Sequence, residues 1–475
     1  MARNTEHSLT RRIAYNTLVQ VVGKAIILII SAVSIGILTR YLGTSSYGKF
    51  SLALVYMQFF GILADVGLFT IVVREISKNP RRTEEIVGNT FGLRLVLSLL
   101  VVSLAGALSL VLPYPPEVRM AISLVGLAIL FGLMNSSLLT VFQAKLRMDY
   151  SVISDTTGRF ASFLAVLFVV YYNLGFYAAV ATTALGTLAT LLVTVILVRR
   201  LVKVRMRADF TLWKRILIAS IPLGLALAIN QLYFRIDTII LSMFRSYHEV
   251  GLYSLAYKII EILLTVPGFF MNSVFPLLSQ YVAGSDSRVR MTLQTSFDFL
   301  LMLAVPVAVG GLIIAEPIIL LAGGAEFAEA ARPLKVLVFA VGVSFLNLLF
   351  GYALIAKDKL KPNLVLSIGG LTTNIILNFI FIPQYGMMAA AINTLLSELL
   401  VFGGAYWLVR RHYGFAPHAR VLWKIVIAAA TMSTVLWLLR PAHVLLAAAA
   451  GGLAYVLMLY ILRAYDRSIL QKLRG

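Results

Sequence analysis

The sequence predicts an all-α polytopic membrane protein of about fourteen transmembrane helices: two parallel six-helix lobes followed by two further helices. Composition, the spacing of apolar runs and an internal repeat carry that prediction. Of the 475 residues 60% are hydrophobic and 13% charged, with a mean hydropathy of +0.91. A soluble globule of this length needs more polar residues than that to cover its surface.

Apolar runs long enough to cross a bilayer recur with short polar breaks. They cover 13–38, 48–73, 86–112, 118–144, 151–172 and 175–198 in the first half. The second half holds 215–243, 249–280, 291–321, 333–356, 362–383 and 386–409, and 421–439 and 443–463 follow. The first run is too long for a signal-peptide core and lacks a clear small-residue cleavage site, so it is expected to be the first helix of the mature protein.

The repeat sets the organisation. Gly48, Phe50, Ser51 and Ala53 have counterparts in Gly251, Tyr253, Ser254 and Ala256 at one constant offset, which also lays Arg11 and Arg12 on Lys214 and Arg215. A slightly larger offset lays Gln143-Ala144-Lys145 on Ile355-Ala356-Lys357, and Leu174-Gly175-Phe176 on Tyr385-Gly386-Met387. Six helices per half put both halves in the same orientation, with the second helix matching the eighth and the sixth the twelfth. The expected domains are an N-lobe (1–200), a basic linker (201–214), a C-lobe (215–410) and a C-terminal helix pair with its tail (411–475).

An even number of spans puts both termini on one side. Breaks on that side hold 29 of the 41 Lys and Arg, against 7 in the opposite loops and 5 within helices. The positive-inside rule makes that side cytoplasmic. The net charge of +21 belongs with lipid headgroups and not with nucleic acid, because no loop is long enough to form a water-exposed basic domain. Cysteine is absent, which removes disulfides and thiol chemistry. Pro222, Pro267, Pro276 and Pro306 fall inside expected helices of the second lobe, where each removes a backbone hydrogen bond and permits bending; packing kinks are the commoner outcome.

The stretch RYLGTSSYGKF, the ADVGLFTIVVREIS that follows it, QAKLRMDY after the fourth helix and NLGFYAAVATT before the sixth together resemble the polysaccharide transporter family. These are the oligosaccharide-lipid flippases of the multidrug/oligosaccharidyl-lipid/polysaccharide (MOP) superfamily. The resemblance covers essentially the whole chain. It implies a V-shaped two-lobed carrier that moves a polyprenyl-phosphate- or polyprenyl-pyrophosphate-linked oligosaccharide from the cytoplasmic to the outer leaflet by alternating access. Its implied setting is the cell membrane, its partners the lipid-linked saccharide, membrane lipids and glycan-polymerising or glycosyltransferase machinery. Substrate sites in such folds sit between the lobes.

Candidate site residues come from charges inside the apolar runs, which are costly and persist where they find a partner or water. Lys24 lies near the middle of the first helix, too deep for easy snorkelling; it either lines a hydrated cavity or pairs with an acid such as Asp65 in the second. In the family resembled, basic residues on the first helices of the lobes attract the lipid-linked phosphate, and Lys24 fits by position and charge. Arg235 and Asp237 are two apart on the seventh helix and point about 200° apart, so they suit separate partners. Lys258 and Glu261, three apart on the eighth, suit an ion pair. Lys24, Arg235 and Lys258 are the candidate substrate-binding residues; Asp65, Asp237, Glu261 and Glu398 are the candidate cation-coupling or ion-pair residues. Arg94, a turn or two inside the third helix, is expected to snorkel to headgroups. The amides of Asn230, Gln231, Asn374, Asn378 and Asn393 suit interhelical bonding.

Enzyme readings find no support. The five histidines lack metal-ligand spacing, no P-loop is present, and no Ser, His and acid set marks a nucleophile. No cofactor is expected beyond a coupling H⁺ or Na⁺. The competing transport readings are a lipid II-type or other anionic-lipid flippase and a cation-coupled multidrug exporter of the same superfamily. A non-transport reading is a scaffold for glycan synthesis.

Overall fold

The computed structural model describes residues 2–282, 284, 286–418, 421–440 and 442–464, with side chains described throughout except at 2–18, 226, 227 and 230. The helices are α1 (Ala2–Asp65), α2 (Leu68–Lys78), α3 (Thr83–Val111), α4 (Pro116–Ala144), α5 (Met148–Tyr171), α6 (Gly175–Arg199), α7 (Phe210–Phe244), α8 (Tyr247–Val282), α9 (Asp286–Gly323), α10 (Ala331–Ala356), α11 (Leu360–Tyr413), α12 (Leu422–Leu438) and α13 (Val444–Ile461). The described residues contain no β-strand. Among the described residues, ten helical stretches are long and apolar enough to cross a membrane.

Most helix ends fall within a few residues of the apolar runs. Two expected loops shrink to one glycine each, and a third break lies inside an expected span. Gly43 (φ 68°) divides α1 and Gly386 (φ 57°) divides α11, so the first and second spans, and the eleventh and twelfth, are each joined without a loop. With both breaks counted, the helices are consistent with about fourteen spans. The second span is itself interrupted at Val66 (φ 44°) and Gly67 (φ 74°), and α2 carries it on. The prolines leave α7, α8 and α9 continuous.

The chain forms two compact units, residues 1–235 and 236–475. In the first, Leu68, Ile71, Phe142, Leu197 and Trp213 belong to one buried cluster drawn from α2, α4, α6 and the start of α7. The basic segment between α6 and α7 lies along α3: the Arg207 N–H donates to the Gly88 carbonyl (3.2 Å), the Lys203 N–H to Glu84 (3.1 Å) and the Asp209 N–H to Asn89 (2.7 Å). Gly88 and Gly92 make room for it, since a Cβ at Gly92 would lie 2.5 Å from the Arg207 carbonyl oxygen. Farther along α7, Gly224 meets the interrupted second span, where a Cβ would lie 2.5 Å from the Val66 carbonyl carbon. The boundary between units therefore falls inside α7, past these contacts.

Inside each unit the repeat reappears as matching backbone devices. Leu146 (φ 53°) ends α4 and Asp358 (φ 55°) ends α10, both left-handed. Each is followed by the same closing bond, Arg147 N–H to Phe142 carbonyl and Lys359 N–H to Leu354 carbonyl, both at 2.8 Å. Lys145 donates to the Leu201 carbonyl (2.8 Å) just past α6, and Lys357 to the His412 carbonyl (2.5 Å) near the end of α11. The left-handed Gly175 and Gly386 also correspond. In the first unit the Gly175 N–H donates to the Tyr41 hydroxyl (2.7 Å); in the second the Met387 N–H, just past Gly386, donates to the Glu249 carboxylate (3.1 Å).

Gly386 also gives a test of this packing. A Cβ there would displace the Glu249 carboxylate and lie 3.0 Å from Arg245 Nε, in a conformation (φ 57°, ψ −138°) that costs other residues about 1–3 kcal/mol. Gly386→Ala is expected to lower the thermal midpoint of the detergent-purified protein. Gly369→Ala, in the same helix with nothing within 4 Å, is expected to be neutral or stabilising. Equal midpoints for the two variants would contradict the assignment of Gly386 as a forced glycine.

Candidate functional site

Each unit holds its own set of buried polar groups. In the first the centre is Arg94, whose side chain is 1% exposed. Its guanidinium donates to Asp65, to the Ser136 hydroxyl and to the Leu133 carbonyl (3.1 Å). Asp65 closes α1, directly before the left-handed Val66 and Gly67, so the pair ties the interruption of the second span to α3 and α4. Ala64, Val101 and Leu133 form a buried apolar cluster beside it. Arg94 therefore does not reach headgroups as expected. It lies eleven residues into α3, roughly 16 Å along the axis, farther than its side chain can stretch.

In the second unit Asp237 is 3% exposed. Its carboxylate accepts the Thr238 N–H (2.7 Å), the Tyr253 hydroxyl from α8 and, at the 3.5 Å limit of a hydrogen bond, the Thr394 hydroxyl from α11. A second set spans the Gly386 break: Asn393 donates to Asn378 (3.0 Å) and Asn378 to Asn374 (2.9 Å), all three buried. Glu398, also 3% exposed, accepts from Asn347 of α10 through its carboxylate (2.7 Å) and its own carbonyl (3.0 Å). Among the described residues no group of three or more His, Cys, Asp or Glu side chains is placed to hold a metal ion.

The cations expected to meet substrate differ in setting. Lys24 is exposed on α1, flanked by the exposed Val21 and Val22. Arg235 is buried in α7. Lys258 and Glu261 form the i,i+3 ion pair their spacing allows (2.9 Å), both partly exposed. The Asn230 side chain lies outside the described residues. Sequence reading did not single out Tyr253, Thr394 or Asn347 as partners of the buried acids. Each lies on a different helix from the acid it serves, and nothing in its local pattern marks it; Arg94 did carry a signal, its distance from the start of α3.

With this geometry in view, the chain matches the polysaccharide biosynthesis protein family over residues 11–282. That is more than half of its length. The chain belongs to this family. A match to the MatE family covers residues 222–380. Among curated relatives, the probable flippase AglR of Haloferax volcanii is 29% identical over 256 residues, 51% of this chain and 53% of AglR, so the match spans about half of that relative's length. The putative O-antigen transporter of Shigella flexneri is 23% identical over 413 residues, 83% of this chain and 97% of the transporter. A solved structure of the lipid II flippase MurJ in an inward closed conformation has a TM-score of 0.77 at 13% identity, covering 96% of this chain and 100% of that one. At such identity the likeness is one of fold, and it is the fold the resemblance implied.

The Arg94–Asp65 pair yields a prediction. Removing one partner of a buried ion pair costs about 3–5 kcal/mol because the other charge is left unpaired, whereas replacing both is far milder. Asp65→Ala is therefore expected to lower the thermal midpoint strongly, and Arg94→Met combined with Asp65→Ala to recover much of the loss. A double variant no better than Asp65→Ala would show that the pair is not a coupled unit.

Proposed function

We propose that the protein is a flippase that carries a polyprenyl-phosphate- or polyprenyl-pyrophosphate-linked oligosaccharide from the cytoplasmic to the outer leaflet of the cell membrane by alternating access, for cell-surface polysaccharide or glycan biosynthesis. The observation that carries this reading is Lys24, an exposed cation near the middle of an apolar helix, in a chain of this family. A cation there favours an anionic substrate. Arg235 and Lys258 are proposed to assist Lys24 in meeting the phosphate, and both termini are proposed to face the cytoplasm. The names and folds of the relatives support a transporter, with membrane lipids and glycan-polymerising or glycosyltransferase machinery as its proposed partners.

The electrical driving force follows from the charge of such a substrate. An anion moving outward crosses an inside-negative potential favourably, by about 2.3 kcal/mol per charge per 100 mV. Two uncompensated charges would bias the leaflets by more than about a hundredfold at that potential, without a nucleotide. A coupling H⁺ or Na⁺ at Asp237 or Glu398 is the alternative, since both are acids buried within the second unit. An ion bound in only one conformation would reset the empty carrier. The match to the MatE family over 222–380 favours a second reading, a cation-coupled multidrug exporter using the same acids.

Reconstituted protein should flip a fluorescent polyprenyl-pyrophosphate saccharide in response to a potassium diffusion potential, with pH and sodium equal on both sides. Flipping that ignores the potential and follows a pH or sodium gradient would reverse the ordering, and Glu398→Gln would then be expected to abolish coupling. Lys24→Gln is expected to reduce flipping of the anionic lipid by about tenfold, with Lys24→Arg retaining most of it. Cationic drug efflux with no saccharide-lipid flipping would select the exporter reading.

A further inference from the structure

The C-terminal helix pair carries a surface depression that the transport reading does not use. α12 runs parallel to α9: Gln294 exchanges hydrogen bonds with the His418 backbone at one end (3.0 and 2.9 Å), and Gly310 sits against Met432 and Leu436 farther along. Ile425, Ala428, Met432 and Leu436 form the buried face of α12. Past that contact, beside Ile313 of α9, an open surface depression of about 330 Å³ is lined by Ser433, Thr434, Trp437 and Arg440.

The lining has a defined chemistry. Ser433 donates to the Ala429 carbonyl (2.8 Å) and Thr434 to the Ala430 carbonyl (3.0 Å), so their hydrogens are used and each oxygen is left as an acceptor. Among the described residues no carboxylate lies within 4.0 Å of the Arg440 guanidinium. A guanidinium at the end of the helix suits a phosphate, and the rest of the lining suits the hydrocarbon below it. Trp437 and Leu438, both exposed, put the opening among apolar side chains, so a ligand reaches it from lipid.

We propose that this depression binds the headgroup of an anionic glycerophospholipid in the leaflet at the C-terminal ends of α9 and α12. Arg440 meets the phosphodiester, and Trp437 and Ile313 flank the first carbons of an acyl chain that runs inward past Ser433 and Thr434. A general interfacial anchoring role for Trp437 and Arg440 involves no headgroup preference, and that difference decides between the two.

The chain has four tryptophans, at 213, 407, 423 and 437. With the first three changed to Phe, Trp437 reports locally on brominated lipids in reconstituted full-length protein. Brominated phosphatidylglycerol should quench Trp437 with about a tenfold preference over brominated phosphatidylcholine at equal mole fraction, the effect of one charge-assisted hydrogen bond. Arg440→Gln should abolish that preference. Equal quenching by the two lipids, or a preference that survives Arg440→Gln, would overturn the proposal. Should the three-Phe background fail to fold, native mass spectrometry of the four-tryptophan protein serves instead. Arg440→Gln should then retain one phosphatidylglycerol fewer than its parent, and an unchanged count would also overturn it.

Discussion

Hydrocarbon offers a polar group nothing to bond to, and this fold is arranged around that constraint. Where the helices break, a side chain supplies what the backbone loses. Glu249 takes the N–H just past the Gly386 break, Tyr41 takes the Gly175 N–H, and Lys145 and Lys357 cover carbonyls near the ends of the sixth and twelfth spans. Asp65, at the interruption of the second span, is held by Arg94. The breaks are thus fixed features of each unit.

The same constraint sorts the charged residues by setting. The cation buried most deeply in the first unit, Arg94, is committed to Asp65, Ser136 and a carbonyl, so it is structural. Asp237 and Glu398 are buried in the second unit, where Tyr253 donates to the first and Asn347 to the second. Lys24 is exposed. A deep cation is tolerable in a bilayer where water or an anion reaches it, and the exposure of Lys24 leaves it open to both.

Much of the fold was legible because hydropathy responds to one variable, the length of apolar chain that fits a bilayer. That fixed most spans to within a few residues, and the segments the repeat offsets align carry matching positive-φ residues, Leu146 with Asp358 and Gly175 with Gly386. The glycine breaks were less legible. Gly43 and Gly386 look locally like many helical glycines, and only the backbone conformation that the fold imposes on them, with positive φ, marks them as breaks. For the same reason the sequence marked Asp237 and Glu398 as noteworthy but could not supply Tyr253, Thr394 or Asn347, which approach from other helices. Arg94 was the same kind of case: its partners Asp65 and Ser136 come from other helices, and they, not headgroups, hold its guanidinium.

The segment between α6 and α7 brings these threads together. Its composition marks it as a basic linker, and a linker is expected to be loosely held. Here three of its backbone N–H groups are tied to α3, and Gly88 and Gly92 are small enough to admit its carbonyls. The side chains of Lys203, Arg205 and Arg207 stay exposed while Val202 is buried, so the segment is anchored through its backbone and one apolar residue and presents its charge outward. Backbone anchoring holds those cations at one end of the first unit without spending any of them on an ion pair. Positive charge held in place at a membrane surface is what the charge bias of the loops requires, and a free linker would blur it.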